Sequence, residues 1–236
     1  MRMIKAVIFD LDGTLTDFNI DYRAVRADVR SFLIKNGVPA SILSTNESIF
    51  EMLKKVEIFL KNSGKSEAAV KEIFTRVFEI AEEYELEAAK GTDLLPGVTE
   101  TLKTLKKMGL KMGLFTVNSE RSTNYILKRF RIANFFETVI PRDSVKHIKP
   151  SSEHLEVVLK TLRVEPYEVI VVGDGINDMM CARELNAVAV GLPTGIASPK
   201  DLISSGANYI ITTPTDLLTL IEEINKTKNE KNTDMT

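Results

Sequence analysis

Residues 3–9 form a short, β-branched apolar run that stops at Asp10. A run without polar alternation is the pattern of a parallel strand buried on both faces. Similar runs recur at 111–115, 138–140, 169–172, 187–190 and 209–211. Helical periodicity fills the intervals, at 98–108, 122–130, 153–162 and 178–185. The first of these follows Pro96-Gly97 and stops at Gly109, both ordinary helix boundaries. Strands alternating with helices predict an α/β fold, a Rossmann-like parallel sheet.

Residues 18–91 break the alternation. Val25, Val29, Phe32 and Leu33 mark one amphipathic face; Ile49, Leu53, Val56 and Leu60 a second; Val70, Ile73, Val77, Ala81 and Tyr84 a third. Ser44-Thr45-Asn46-Glu47 fits a capping box before the second helix. The expected organisation is a catalytic core from 1–17 and 92–224, a small all-helical cap over 18–91, and a polar, frayed tail over 225–236.

Composition adds exclusions. A net charge of −2 leaves no basic footprint for nucleic acid. One cysteine and two histidines rule out a disulfide and any Cys- or His-rich metal centre. No apolar run approaches the roughly 18–20 residues that span a bilayer, and the chain enters a strand with no leader-like segment. A cytoplasmic location is expected, with no membrane partner. Nothing bears on oligomeric state.

The chemistry lies in the acidic residues. Ligands of open parallel sheets bind beyond the carboxyl ends of the strands. Asp10 and Asp12, in "FDLDGT", follow the first strand; Asp174 and Asp178, in "VVGDGIND", follow another. Carboxylates gathered at one edge repel unless a cation sits among them, and an all-oxygen set favours Mg²⁺. A third strand end, "GLFTVNS", brings the Thr116 hydroxyl and the turn amides of Val117 and Asn118, groups suited to a phosphoryl oxygen. "HIKP" places Lys149 before Pro150, which restrains its backbone. Singly, each residue has a bland reading as a cap, a strand residue or a surface charge. Their order along the chain is what sets them apart.

The ordered set Asp10-Leu11-Asp12-Gly13-Thr14, Thr116, Lys149 and Gly173-Asp174 with Asp178 resembles the haloacid dehalogenase superfamily. The likeness is to its phosphatase branch with a helical cap after the first strand, and it covers residues 1 to about 224. The resemblance implies a Mg²⁺-dependent phosphatase acting on a small phosphorylated metabolite such as phosphoglycolate. Asp10 would be the nucleophile and Asp12 the general acid and base, with its carbonyl on the metal. Asp174 would be a metal ligand and Asp178 an outer one or one acting through water. Lys149 and Thr116, with the Val117 and Asn118 amides, would hold the phosphoryl group. Strand pleating would return Asp10 and Asp12 to one face. A sugar phosphomutase of the β-phosphoglucomutase type would use the same residues, and a non-catalytic binding module would keep the fold alone. A dehalogenase leaves Asp12 without a role. In the cap, Arg23, Arg26 and Arg30 follow Asp21 at helical spacing. They read either as a solvated face or, for Arg23 or Arg26, as a grip on a substrate carboxylate.

Overall fold

The structure is a computed structural model that describes residues 3–233, with side chains up to 226. The chain separates into two compact units, one from the segments up to Asn19 and from Gly91 onward, the other over Ile20–Lys90.

The first unit is built on a parallel sheet. Its strands are β1 (Ala6–Phe9), β2 (Lys111–Phe115), β3 (Thr138–Ile140), β4 (Val169–Gly173), β5 (Val188–Gly191) and β6 (Tyr209–Ile210), in the order β3-β2-β1-β4-β5-β6. This is the Rossmann-like parallel sheet expected, and its order places β1 between β2 and β4. Phe9 lies level with Leu114 of β2 and with Val172 of β4. The residues that follow these three strands therefore emerge side by side, at the crevice where the strand order reverses. All four residues of β1 are buried. Burying Val7, Ile8 and Phe9 contributes about 1.5–3 kcal/mol each, which anchors whatever follows them. A core of Ala6, Ile8, Phe115, Leu155, Val158, Val171 and Met179 covers one face of the sheet.

In this unit the helices, numbered along the whole chain, are α4 (Val98–Lys107), α5 (Glu120–Arg129), α6 (Ser152–Leu162), α7 (Ile176–Glu184), α8 (Pro199–Ser205) and α9 (Asp216–Thr233). Ser119, Ser151 and Ser198 cap α5, α6 and α8 through their side chains. Helix α9 runs past Asn225, where fraying was expected. The Asn225 side chain accepts the Ile4 N–H at 3.0 Å, which ties the helix to the segment just before β1. Residues 234–236 of the expected tail lie outside the described residues.

The second unit contains α1 (Tyr22–Lys35), α2 (Ile49–Asn62) and, as far as Lys90, α3 (Glu67–Gly91). Its core joins Val25, Val29 and Leu33 of α1 to Met52, Leu53, Val56 and Leu60 of α2 and Val70, Val77 and Ala81 of α3. The predicted capping box is displaced by four residues. Ser48 accepts the Glu51 N–H at 3.2 Å and Glu51 accepts the Ser48 N–H at 2.8 Å. Ser44 to Glu47 instead close a turn, Glu47 N–H donating to the Ser44 carbonyl. Both quartets fit the pattern, and the start of the apolar stripe at Ile49 selects the second.

Candidate active site

Asp10 follows β1, and its N–H donates to the Val172 carbonyl, which continues the pairing with β4 by one residue. Asp174 follows β4 directly, and Asp178 lies in the first turn of α7. Carboxylate oxygens of Asp10, Asp174 and Asp178 all lie within 4.8 Å of one another, and all three residues are buried. Lys149 reaches this cluster from the loop before α6, where its peptide bond to Pro150 is cis. Its ammonium donates to Asp10 at 2.5 Å, to Asp178 at 2.7 Å and to the Phe115 carbonyl at 3.3 Å.

Three carboxylates and one ammonium leave two negative charges when all are ionised. Unit charges 4 Å apart repel by about 4 kcal/mol at an effective dielectric near 20. The titration of the site reflects this. Burial, then the charges of Asp10 and Asp178, push the Asp174 carboxyl up to about 9. Burial raises Asp178 to about 6 against the pull of Lys149. Burial would lower Lys149, but the Asp10 and Asp178 carboxylates outweigh it and hold the ammonium above its usual range. Two surplus negative charges on an all-oxygen donor set fit one hard divalent cation.

Asp12 stands apart from that cluster. Strand β1 ends at Phe9, so its pleat does not carry on to Asp12. A turn takes over: Leu15 N–H donates to the Leu11 carbonyl at 2.8 Å and Gly13 N–H to the Thr16 carbonyl at 2.8 Å. The turn aims the Asp12 carboxylate at Asn118, whose amide donates to it at 2.6 Å, and at the Thr16 hydroxyl at 3.1 Å. Any part for Asp12 in metal binding falls to its backbone carbonyl. Asn118, expected on a phosphoryl group, spends its side chain on Asp12 and its N–H on the Thr116 hydroxyl, at 3.2 Å. The Val117 carbonyl accepts from the buried Arg142 guanidinium at 3.1 Å.

Residues 4–186 match the family of haloacid dehalogenase-like hydrolases. The chain belongs to that family. It is 30% identical over 234 residues to the pyrophosphatase PpaX of Bacillus velezensis, covering 92% of this chain and 96% of the relative. It is 32% identical over 203 residues to the phosphoglycolate phosphatase of Pseudomonas syringae, covering 82% and 71%. A solved hydrolase structure from Pseudomonas syringae superposes with a TM-score of 0.68 at 28% identity, covering 93% of this chain and 99% of that one. The protein is thus an enzyme, a phosphatase of the haloacid dehalogenase-like family, and the binding-module alternative falls away. Among the described residues no helix is long and apolar enough to cross a membrane.

This hydrolase also carries site residues that its motifs do not announce. Arg142, which steadies the turn after β2, is one. Thr194 and Gly195, in the loop after β5, are two more. The Thr194 hydroxyl donates to the Gly13 carbonyl. Gly195 lies so close to Asp174 that a Cβ there would overlap its carboxylate. The available signal was position alone: a Gly-containing loop at the carboxyl end of a strand next to β4. Of the cap arginines, Arg26 donates to the Thr45 carbonyl at 3.5 Å and lies over the Tyr22 ring, 5.8 Å from its centroid. Arg30 donates to the Leu43 carbonyl at 3.3 Å, whereas Arg23 is exposed and its N–H donates to the capping Asp21.

Proposed function

We propose that the enzyme is a Mg²⁺-dependent phosphatase that hydrolyses a small phosphorylated metabolite through an aspartyl-phosphate intermediate. The observation that carries this reading is the buried triad of Asp10, Asp174 and Asp178 with Lys149 bridging two of its members. Asp10, Asp174 and the Asp12 carbonyl would hold the Mg²⁺, with Asp178 acting from behind. When bound, the ion would supply positive charge to the phosphoryl oxygens.

An Asp10 oxygen attacks phosphorus, the bond from phosphorus to the substrate oxygen breaks, and Asp12 gives its proton to the leaving alkoxide. Asp12 then takes a proton from water, whose oxygen attacks phosphorus and frees Asp10 with release of phosphate. Lys149 and the turn after Thr116 neutralise and orient the phosphoryl group in both steps. The Asn118 bond to Asp12 supports this assignment, because an acid must be aimed before it can transfer a proton to one atom. Asp12→Ala is expected to lower kcat by about 10²- to 10⁴-fold on alkyl phosphates. The loss shrinks on p-nitrophenyl phosphate, whose leaving group needs little protonation. Equal losses on both substrates would remove Asp12 from the acid role.

Gly195→Ala tests the metal-facing side of the site. Overlap with the Asp174 carboxylate should raise the Mg²⁺ concentration for half-activation by about tenfold or more. It should also weaken Mg²⁺ binding followed by calorimetry. Unchanged Mg²⁺ binding would release the loop from any hold on Asp174.

Phosphoglycolate is the substrate we favour, on the strength of the relative bearing that name at 32% identity. Pyrophosphate is the second reading, carried by a relative matched over 92% of this chain. Phosphate release from a panel of phosphorylated metabolites, with and without Mg²⁺, decides between them. The panel includes β-glucose 1-phosphate with a search for glucose 6-phosphate, the product a mutase would form. No Mg²⁺-dependent phosphate from any member would sink the proposal.

A further inference from the structure

His154 sits in the first turn of α6 and is fully buried, yet the chemistry above gives it no task. Its Nε2 lies 2.9 Å from the carbonyl of Ile140, the last residue of β3. A carbonyl only accepts, so Nε2 carries the ring proton and Nδ1 is an acceptor. The backbone N–H of Lys149 donates to that Nδ1 at 3.4 Å. The imidazole also meets the Phe115 ring in a T-shaped contact, with centroids 5.5 Å apart. Phe115 in turn carries Lys149: the ammonium lies 4.2 Å from the centroid of that ring and donates to the Phe115 carbonyl.

We propose that His154 is a positioning residue for Lys149, holding its backbone through Nδ1 and backing the aromatic ring beside which its ammonium rests. Residues of β2, β3 and the loop before α6 thereby meet at one imidazole. Only the neutral ring can do this, because protonation would turn Nδ1 from acceptor to donor. Burial, then the nearby Lys149 charge, push His154 down to about 4, which keeps it neutral at ordinary pH. His147 has no such setting: it is exposed and paired with Glu153 at 2.6 Å.

The inference rests on Lys149 acting on the phosphoryl group, and a double-mutant cycle separates the two claims. His154→Gln keeps a donor near the Ile140 carbonyl but loses the acceptor. His154→Asn keeps an acceptor near Nδ1 and loses the reach to Ile140. With Lys149 present, His154→Gln is expected to lower kcat on p-nitrophenyl phosphate by about 5- to 10-fold, and His154→Asn by less than about threefold. On Lys149→Ala, His154→Gln should change kcat by less than about twofold, because nothing is left to position. Where Lys149→Ala is too slow to assay, the same cycle is read in the affinity for beryllium trifluoride, which mimics the phosphoryl group on Asp10. Should His154→Gln fail to fold, His154→Phe replaces it under the same criteria. An equal loss in both backgrounds, or no loss with Lys149 present, overturns the role of His154. Wild-type kcat in Lys149→Ala overturns instead the reading of Lys149, and the positioning role with it.

Discussion

Asp10→Asn is expected to lower kcat by at least about 10⁴-fold while leaving the fold in place. An amide is nearly the same size as a carboxylate but does not displace an alkoxide from phosphorus. The backbone at this position is held independently of the side chain, through the bond from Asp10 N–H to Val172 and the buried strand before it. Lys149 loses its 2.5 Å carboxylate partner but keeps Asp178 at 2.7 Å. Turnover on p-nitrophenyl phosphate, far-UV circular dichroism and trapping of phosphorylated enzyme from substrate check the result together. A folded variant that turns over like wild type would end the aspartyl-phosphate scheme.

Removal of the metal should be nearly as severe. Excess chelator is expected to bring phosphate release to background, and Mg²⁺ to restore it. The titration of the site adds a sign that can be tested without turnover. An unfolded Asp titrates near 3.9, whereas Asp174 in the folded, metal-free protein is pushed up to about 9. The folded chain therefore binds more protons across that interval than the unfolded one. This contribution to stability is complete below about pH 4 and is lost as pH rises toward 9, by up to about 1.4 kcal/mol per pH unit. Asp178, raised to about 6, adds a loss of the same sign lower in the range. Mg²⁺ competes with these protons, so its stabilising effect should grow with pH. Thermal unfolding in chelator and in excess Mg²⁺, compared at about pH 5.5 and about pH 8, measures the difference. A Mg²⁺ shift in Tm that does not change with pH, or full activity in chelator, would refute the assignment.

Strands were legible in the sequence because a parallel strand covered on both faces has to be apolar throughout. The runs at 111–115 and 138–140 match β2 and β3 residue for residue. The helical faces of the second unit were legible for a related reason, since a 3.6-residue period exposes which positions must find a core. The Ser48–Glu51 box shows that a capping motif recurring within a few residues is resolved by where the packed apolar stripe begins, here at Ile49. The anchoring of α9 was not legible in this way, because its Asn225 side chain accepts from Ile4, far away in the chain.

By itself the sequence determined the sheet, the order of its strands along the chain and the residue types set at their carboxyl ends. Which of those groups touch was decided by tertiary structure. Asn118 and Asp12 are 106 residues apart, and Lys149 and Asp10 are 139 apart. Their meeting follows from β1 lying between β2 and β4, an adjacency that no local period encodes. The same adjacency separates the two aspartates of "DLD". Asp10 is held by the pairing of β1 with β4, while Asp12 is turned by a tight loop toward the end of β2. Arg142, His154 and Gly195 escaped the sequence because their chemistry is ordinary for a loop or a helix. They matter through packing at a few ångströms, and that distance exists only once the sheet has brought its strand ends together.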